Sequence, residues 1–234
     1  MRNKGALRLI ASLLTCYASL GSLGCAIPHV PFRSVYEDPV NFVRLELDDQ
    51  VLPEWPPTAH NHPKAITAEE LARLLNGMTV QEHRIWLQKW IQGDAPLEPA
   101  FSPEAVTLLS QHLAQALGEA KENERVTFYM SQPQTSVKRV ITSGGLYIQG
   151  TELHFILGNW RIVYGIPTYG MIYDRRYPMR PTAPKGFDLF FQPFEAVIEY
   201  QHSLWDVLLA NTTDELVIDL TKLQPGLIAT GPSH

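Results

Sequence analysis

Both cysteines of this 234-residue chain, Cys16 and Cys25, fall within its first 25 residues. Whatever folds beyond them does so without an intrachain disulfide and must stand on its hydrophobic core alone. The roughly 210 residues after Gly24 are enough for one ordinary domain. A composition with 45% apolar and 18% charged residues is that of a packed globular protein and not of a disordered one.

Residues Met1 to Arg8 carry three positive charges and no negative one, and an uncharged, mostly apolar stretch runs from Leu9 to Gly24. That order is the n-region and h-region of an export signal. A permanent span needs about 20 predominantly apolar residues, whereas this stretch is shorter and diluted by Ser12, Thr15, Ser19 and Ser22. It closes with Ser22-Leu23-Gly24-Cys25, which resembles the lipobox of bacterial lipoproteins, with Ser22 where Leu is most usual. The resemblance implies that the Cys25 thiol receives a diacylglycerol, that residues 1–24 are cut away, and that the new amino group is acylated. Two or three acyl chains, at about 0.8 kcal/mol per buried methylene, then hold the protein to a membrane without a spanning helix. Because Ala26 and not Asp follows the cysteine, the same resemblance favours the outer membrane, with the domain in the periplasm. An ordinary secretory signal, cut near Ala18 or Gly24, is the plainer alternative.

Removal of residues 1–24 leaves 16 basic against 24 acidic side chains, a balance of −8. Such acidity argues against a nucleic-acid partner and against a polybasic grip on anionic lipid. Pro28 and Pro31 make residues 25–37 an extended tether, followed by a single globular domain over 38–226 and a flexible tail over 227–234.

Within the domain, Val43 to Leu47 alternates apolar and charged residues like a half-buried strand, and Val51 to Lys64 is a loop dense in proline and histidine. Thr67-Ala68-Glu69-Glu70 is a capping box that opens a helix ending at Asn76-Gly77. Thr79 to Gln92 fits both periods, with a slight preference for a strand. Ser102-Pro103-Glu104 starts the longest helix, with Val106, Leu109, Leu113, Ala116 and Leu117 on its apolar face. The remainder reads as β: Val126 to Met130, Val137 to Ile148, Leu153 to Val163 after a hairpin at Gln149-Gly150, Phe187 to Phe191, Ala196 to Tyr200, and Leu216 to Leu220. A short helical turn fits Leu204 to Leu209. The fold class is therefore α+β, with two or three helices and a mainly antiparallel sheet in the C-terminal half.

Chemistry-bearing residues are few. His60 and His62, with His83 and His112 elsewhere, are the only imidazoles that suggest a metal, and no His-Glu-x-x-His or cysteine pair accompanies them. A surface loop that happens to carry histidines explains them equally simply, and no cofactor is implied. Thr142-Ser143-Gly144-Gly145 offers a hydroxyl beside a possible backbone nest, or, more simply, a bulge where two backbones approach closely. Arg175, Arg176 and Arg180, interleaved with Tyr177, form a candidate cationic and aromatic platform for a ligand in the long loop Gly165 to Lys185. The five tryptophans are dispersed and read mostly as core anchors.

The order of features from Ala65 to Arg161 resembles small bacterial lipoproteins of similar size, and that resemblance carries no activity with it. The expectation is a non-enzymatic lipoprotein, anchored through Cys25, that binds an envelope protein or polymer. The rival expectation is a metal-assisted periplasmic hydrolase using His60 and His62.

Overall fold

The alternating segments of the sequence are the strands of one large antiparallel sheet. The computed structural model describes residues 30–48, 51, 59–135, 138–165, 175–182, 186–198 and 215–223. Six strands join that sheet in the order β1 (Phe32–Glu37), β2 (Phe42–Leu47), β5 (Glu124–Thr135), β6 (Lys138–Gln149), β7 (Glu152–Gly165) and β9 (Glu215–Asp219). A second, three-stranded sheet has the order β4 (Leu97–Pro99), β3 (Met78–Glu82), β8 (Phe187–Phe191). Every pairing in both sheets is antiparallel. With helices α1 (Ala68–Gly77), α2 (Trp86–Gln92) and α3 (Pro103–Glu119), the described residues from Pro31 onward form one compact α+β unit.

Period-two alternation assigns the two faces of the large sheet. Val43, Leu45, Val126, Phe128, Leu146, Ile148 and Phe155 share a buried cluster with Leu71, Leu74 and Leu75 of α1 and with Leu109, Leu113 and Leu117 of α3. On the other face Phe42, Tyr129 and Ile141 form a smaller cluster among polar neighbours. Both helices that cover the first face start as their sequences dictate. Thr67 Oγ1 accepts the Glu70 N–H at 3.2 Å while the Glu70 carboxylate accepts the Thr67 N–H at 2.8 Å. Ser102 Oγ accepts the Ala105 N–H at 3.2 Å, and Pro103 follows it in the first turn. Gly150 supplies the left-handed residue, φ 61°, that the β6–β7 turn requires.

Four readings change. Phe32–Glu37, read as the end of the tether, is the edge strand of the large sheet, because hydrogen bonds to β2 outweigh its proline-flanked start. Thr79 to Gln92 is neither wholly strand nor wholly helix: β3 ends at Glu82 and α2 begins at Trp86. The stretch from Ala196 is no regular strand in its described part. A 3-10 turn, Phe194–Ala196, is followed by a single bridge from Val197 to Ile218. Strand β4 escaped the sequence altogether, being three residues long and closed by Pro99. Residues 1–29, including Cys25, the turn at Leu204 to Leu209 and the tail over 227–234 lie outside the described residues. Among the described residues no helix is long and apolar enough to cross a membrane.

Candidate functional site

The histidine loop is where the structure departs furthest from a surface reading. The backbone of residues 60–64 is bonded to three separate places: His60 N–H to Glu122 O at 2.8 Å, Asn61 N–H to Ile148 O at 2.8 Å, and Lys64 N–H to Leu117 O at 2.9 Å. Both His60 and His62 turn inward and are only 8% and 4% exposed. His60 Nε2 lies 2.9 Å from Asp48 Oδ2, and Asp48 Oδ1 accepts from Arg125 at 3.1 Å. His62 Nε2 accepts the Ile148 N–H at 3.4 Å. Burial, with His60 close by, lowers its basicity to a pKa of about 4.

The ring of Tyr147 joins this pair to a second one. It lies 4.4 Å from the His60 ring and stacks on His154 at 4.5 Å and 9°. His154 Nδ1 is 2.8 Å from Glu215 Oε1, and Glu152 stands 3.6 Å from its other nitrogen. Burial opposes ionisation of Glu215, but the hydrogen bonds from His154 and Tyr147 outweigh it and hold the carboxyl below its usual range. Glu46, on the same sheet face, is pushed up by burial. Two imidazole–carboxylate pairs thus share one tyrosine ring. The buried Ser143 hydroxyl of β6 donates to the Pro178 carbonyl at 2.7 Å. The network therefore locks β2, β6, β7, β9 and the histidine loop together.

Among the described residues the metal reading finds no third ligand. The His60 and His62 rings are edge-on at 5.6 Å, His83 pairs at the surface with Asp188 at 2.9 Å, and His112 stacks on Tyr36 at 4.1 Å. Among the described residues no group of three or more His, Cys, Asp or Glu is placed to hold a metal ion.

The arginine platform is split. Arg175 lies over Tyr129 at 4.9 Å and Phe42 at 5.6 Å on the large sheet, whereas Arg180 and Arg176 flank Tyr177 at 4.6 and 5.9 Å. Arg44, buried between the Phe32 and Phe42 rings at 4.0 and 3.8 Å and paired with Glu37 at 2.8 Å, takes the place beside Arg175. The backbone of 175–182 covers the sheet. Asn159 Nδ2 donates to the Arg180 carbonyl at 2.9 Å, its Oδ1 accepts from Thr182, and Met179 packs where Gly145 and Gly158 have no side chain. Thr142-Ser143-Gly144-Gly145 is thus a close-approach site, with register shifts on both sides of Ser143.

A cleft of about 390 Å³ opens at the start of α3, between Asn76, Phe101, Gln132, Thr142 and Arg161. Two of its polar side chains are engaged within the protein. Arg161, in the left-handed region at φ 48°, is ion-paired to Glu98, and Gln132 bonds Ser102 at 3.3 Å.

A different surface stands out by its exposure. Half of the ten exposed large apolar side chains among the described residues fall in seven consecutive positions: Ile85, Trp86, Leu87, Trp90 and Ile91. Trp86 is 79% and Trp90 81% exposed, against the expectation of core anchors, while Trp160 is buried and donates to the Ala100 carbonyl at 3.0 Å. Helix α2 buries no residue at all. It persists because Arg84 Nη1 reaches the carbonyls of Gln92, Gly93 and Asp94, Gly93 terminates it at φ 73°, and Lys89 pairs with Asp94 at 2.7 Å. The sequence held a hint in the i, i+4 spacing of Trp86 with Trp90 and Leu87 with Ile91, but spacing does not tell a core-facing stripe from a solvent-facing one. Comparison with known protein families, curated proteins and solved structures finds no match to this chain.

Proposed function

We propose that this chain is a bacterial envelope lipoprotein, cut before Cys25 and held to a membrane by lipid on that residue, whose body works by binding and not by turnover. The membrane is the outer one, by the resemblance that Ala26 supplies, and the domain is placed in the periplasm as part of the same proposal. The binding role rests on one observation: α2 and the Ile85 that precedes it present two tryptophans and three aliphatic side chains to solvent, and the helix buries no residue. The anchor rests on the charge and hydropathy order of residues 1–24 and on Ser22-Leu23-Gly24-Cys25. Intact-mass analysis of membrane-extracted protein tests it. The wild type loses residues 1–24 and gains the mass of a diacylglycerol with or without a further acyl chain, and Cys25→Ser gains no lipid. A bare thiol, or a retained leader on the wild type, overturns the anchor.

A further inference from the structure

Resting on the reading of Cys25 as an anchor, we propose that the apolar face of α2 docks into the interfacial layer of the same bilayer, with Trp86 and Trp90 at headgroup level. On a helix Trp86 and Trp90 share one side, and Leu87 with Ile91 forms the adjoining stripe; Gln88, Lys89 and Gln92 lie opposite. This is the division of an interfacial helix, whose apolar face lies in the acyl boundary while its polar face stays wet. Tryptophan suits that boundary because its ring is apolar and its indole N–H still needs a polar partner, which headgroups and water supply.

Charge selects the mode of attachment. Arg84 is committed to the carbonyls that end α2 and Lys89 to Asp94, with Asp188 close to His83. Among the described residues around α2 no cationic cluster is left to seek anionic lipid, in keeping with the excess of acidic residues after Gly24. Docking therefore runs on apolar insertion. Reach makes it feasible: Phe32 opens β1 only seven residues after Cys25, so the chain between them spans at most about 25 Å. A body tethered that closely meets the bilayer at high effective concentration, so a face too small to recruit the protein from solution is occupied once the lipid holds it.

Tryptophan quenching by brominated acyl chains tests the assignment, using membrane-extracted full-length product in phosphatidylcholine vesicles. The wild type is quenched, and in the Trp86→Ala/Trp90→Ala variant quenching of the remaining tryptophans falls at least about tenfold. Both rings are about four-fifths exposed, so the variant keeps its melting temperature. Raised salt leaves wild-type quenching in place; its loss in salt would make the contact electrostatic and overturn the proposal. Absence of wild-type quenching overturns it, as does quenching that survives the double substitution. A dimer in detergent that dissociates on the same substitutions would assign the face to a second copy and overturn it too. Intact mass of the same sample reports the Cys25 lipid separately, so a failed anchor and a failed α2 contact give different results.

Discussion

Gly144 carries more of this fold than its size suggests. A Cβ there would meet the Ile156 carbonyl oxygen across the β6–β7 pairing and the Phe128 ring at 3.1 Å. A neighbouring strand's backbone cannot give way as a side chain can. Gly144→Ala should cost about 3 kcal/mol, the upper end for a forced methyl, read as a lower urea midpoint at unchanged slope. Gly118, on the exposed side of α3 with nothing within 4 Å of a Cβ, is the control: its substitution by alanine should be neutral or stabilise by up to about 1 kcal/mol. The glycine pair was visible in the sequence as a place of close approach. That Met179 would fill the space beside Gly145 was not, because 34 positions of chain separate them and no local pattern links them.

Elements whose ends carry their own chemistry were legible, and those defined by a partner were not. The capping box at Thr67 and the Ser102-Pro103 start appear in the structure as read, since caps are satisfied within four residues. Thr67→Ala removes the hydroxyl that accepts the Glu70 N–H and leaves the backbone half of the box, at about 1 kcal/mol and roughly 2–4 °C in melting temperature; Thr67→Ser restores most of it. Glu70 is held below its usual range first by the Thr67 N–H it accepts, so this cap contributes above the ordinary carboxyl range and weakens as acid titrates the carboxylate. By contrast, β1 exists only because β2 offers it an edge, and β4 only because β3 does. Period alone left Thr79 to Gln92 undecided because the segment changes from strand to helix between Glu82 and Trp86.

Across the whole molecule, the histidine loop ties the sheet to α3, and His62 makes that tie sensitive to acid. In the unfolded chain His62 takes a proton near pH 6.5, but in the folded protein it stays neutral until about 4, because burial disfavours its charge and protonation of Nε2 would expel the Ile148 N–H. Between those values the unfolded chain binds the extra proton, so stability falls as pH falls. Unfolding in urea at pH 7 and pH 5 should differ by about 2 kcal/mol from this group, and His62→Gln should remove most of that difference. An unchanged slope in the variant would place the acid sensitivity elsewhere. The sequence by itself determined what depends on neighbours in the chain: the helix caps, the β-rich second half, the turn at Gly150, and a core without disulfides. Tertiary structure alone decided which sides face inward, because alternation and helical period state only that two faces differ. Long-range pairing buried His60 and His62, and among the described residues nothing covers Trp86 and Trp90.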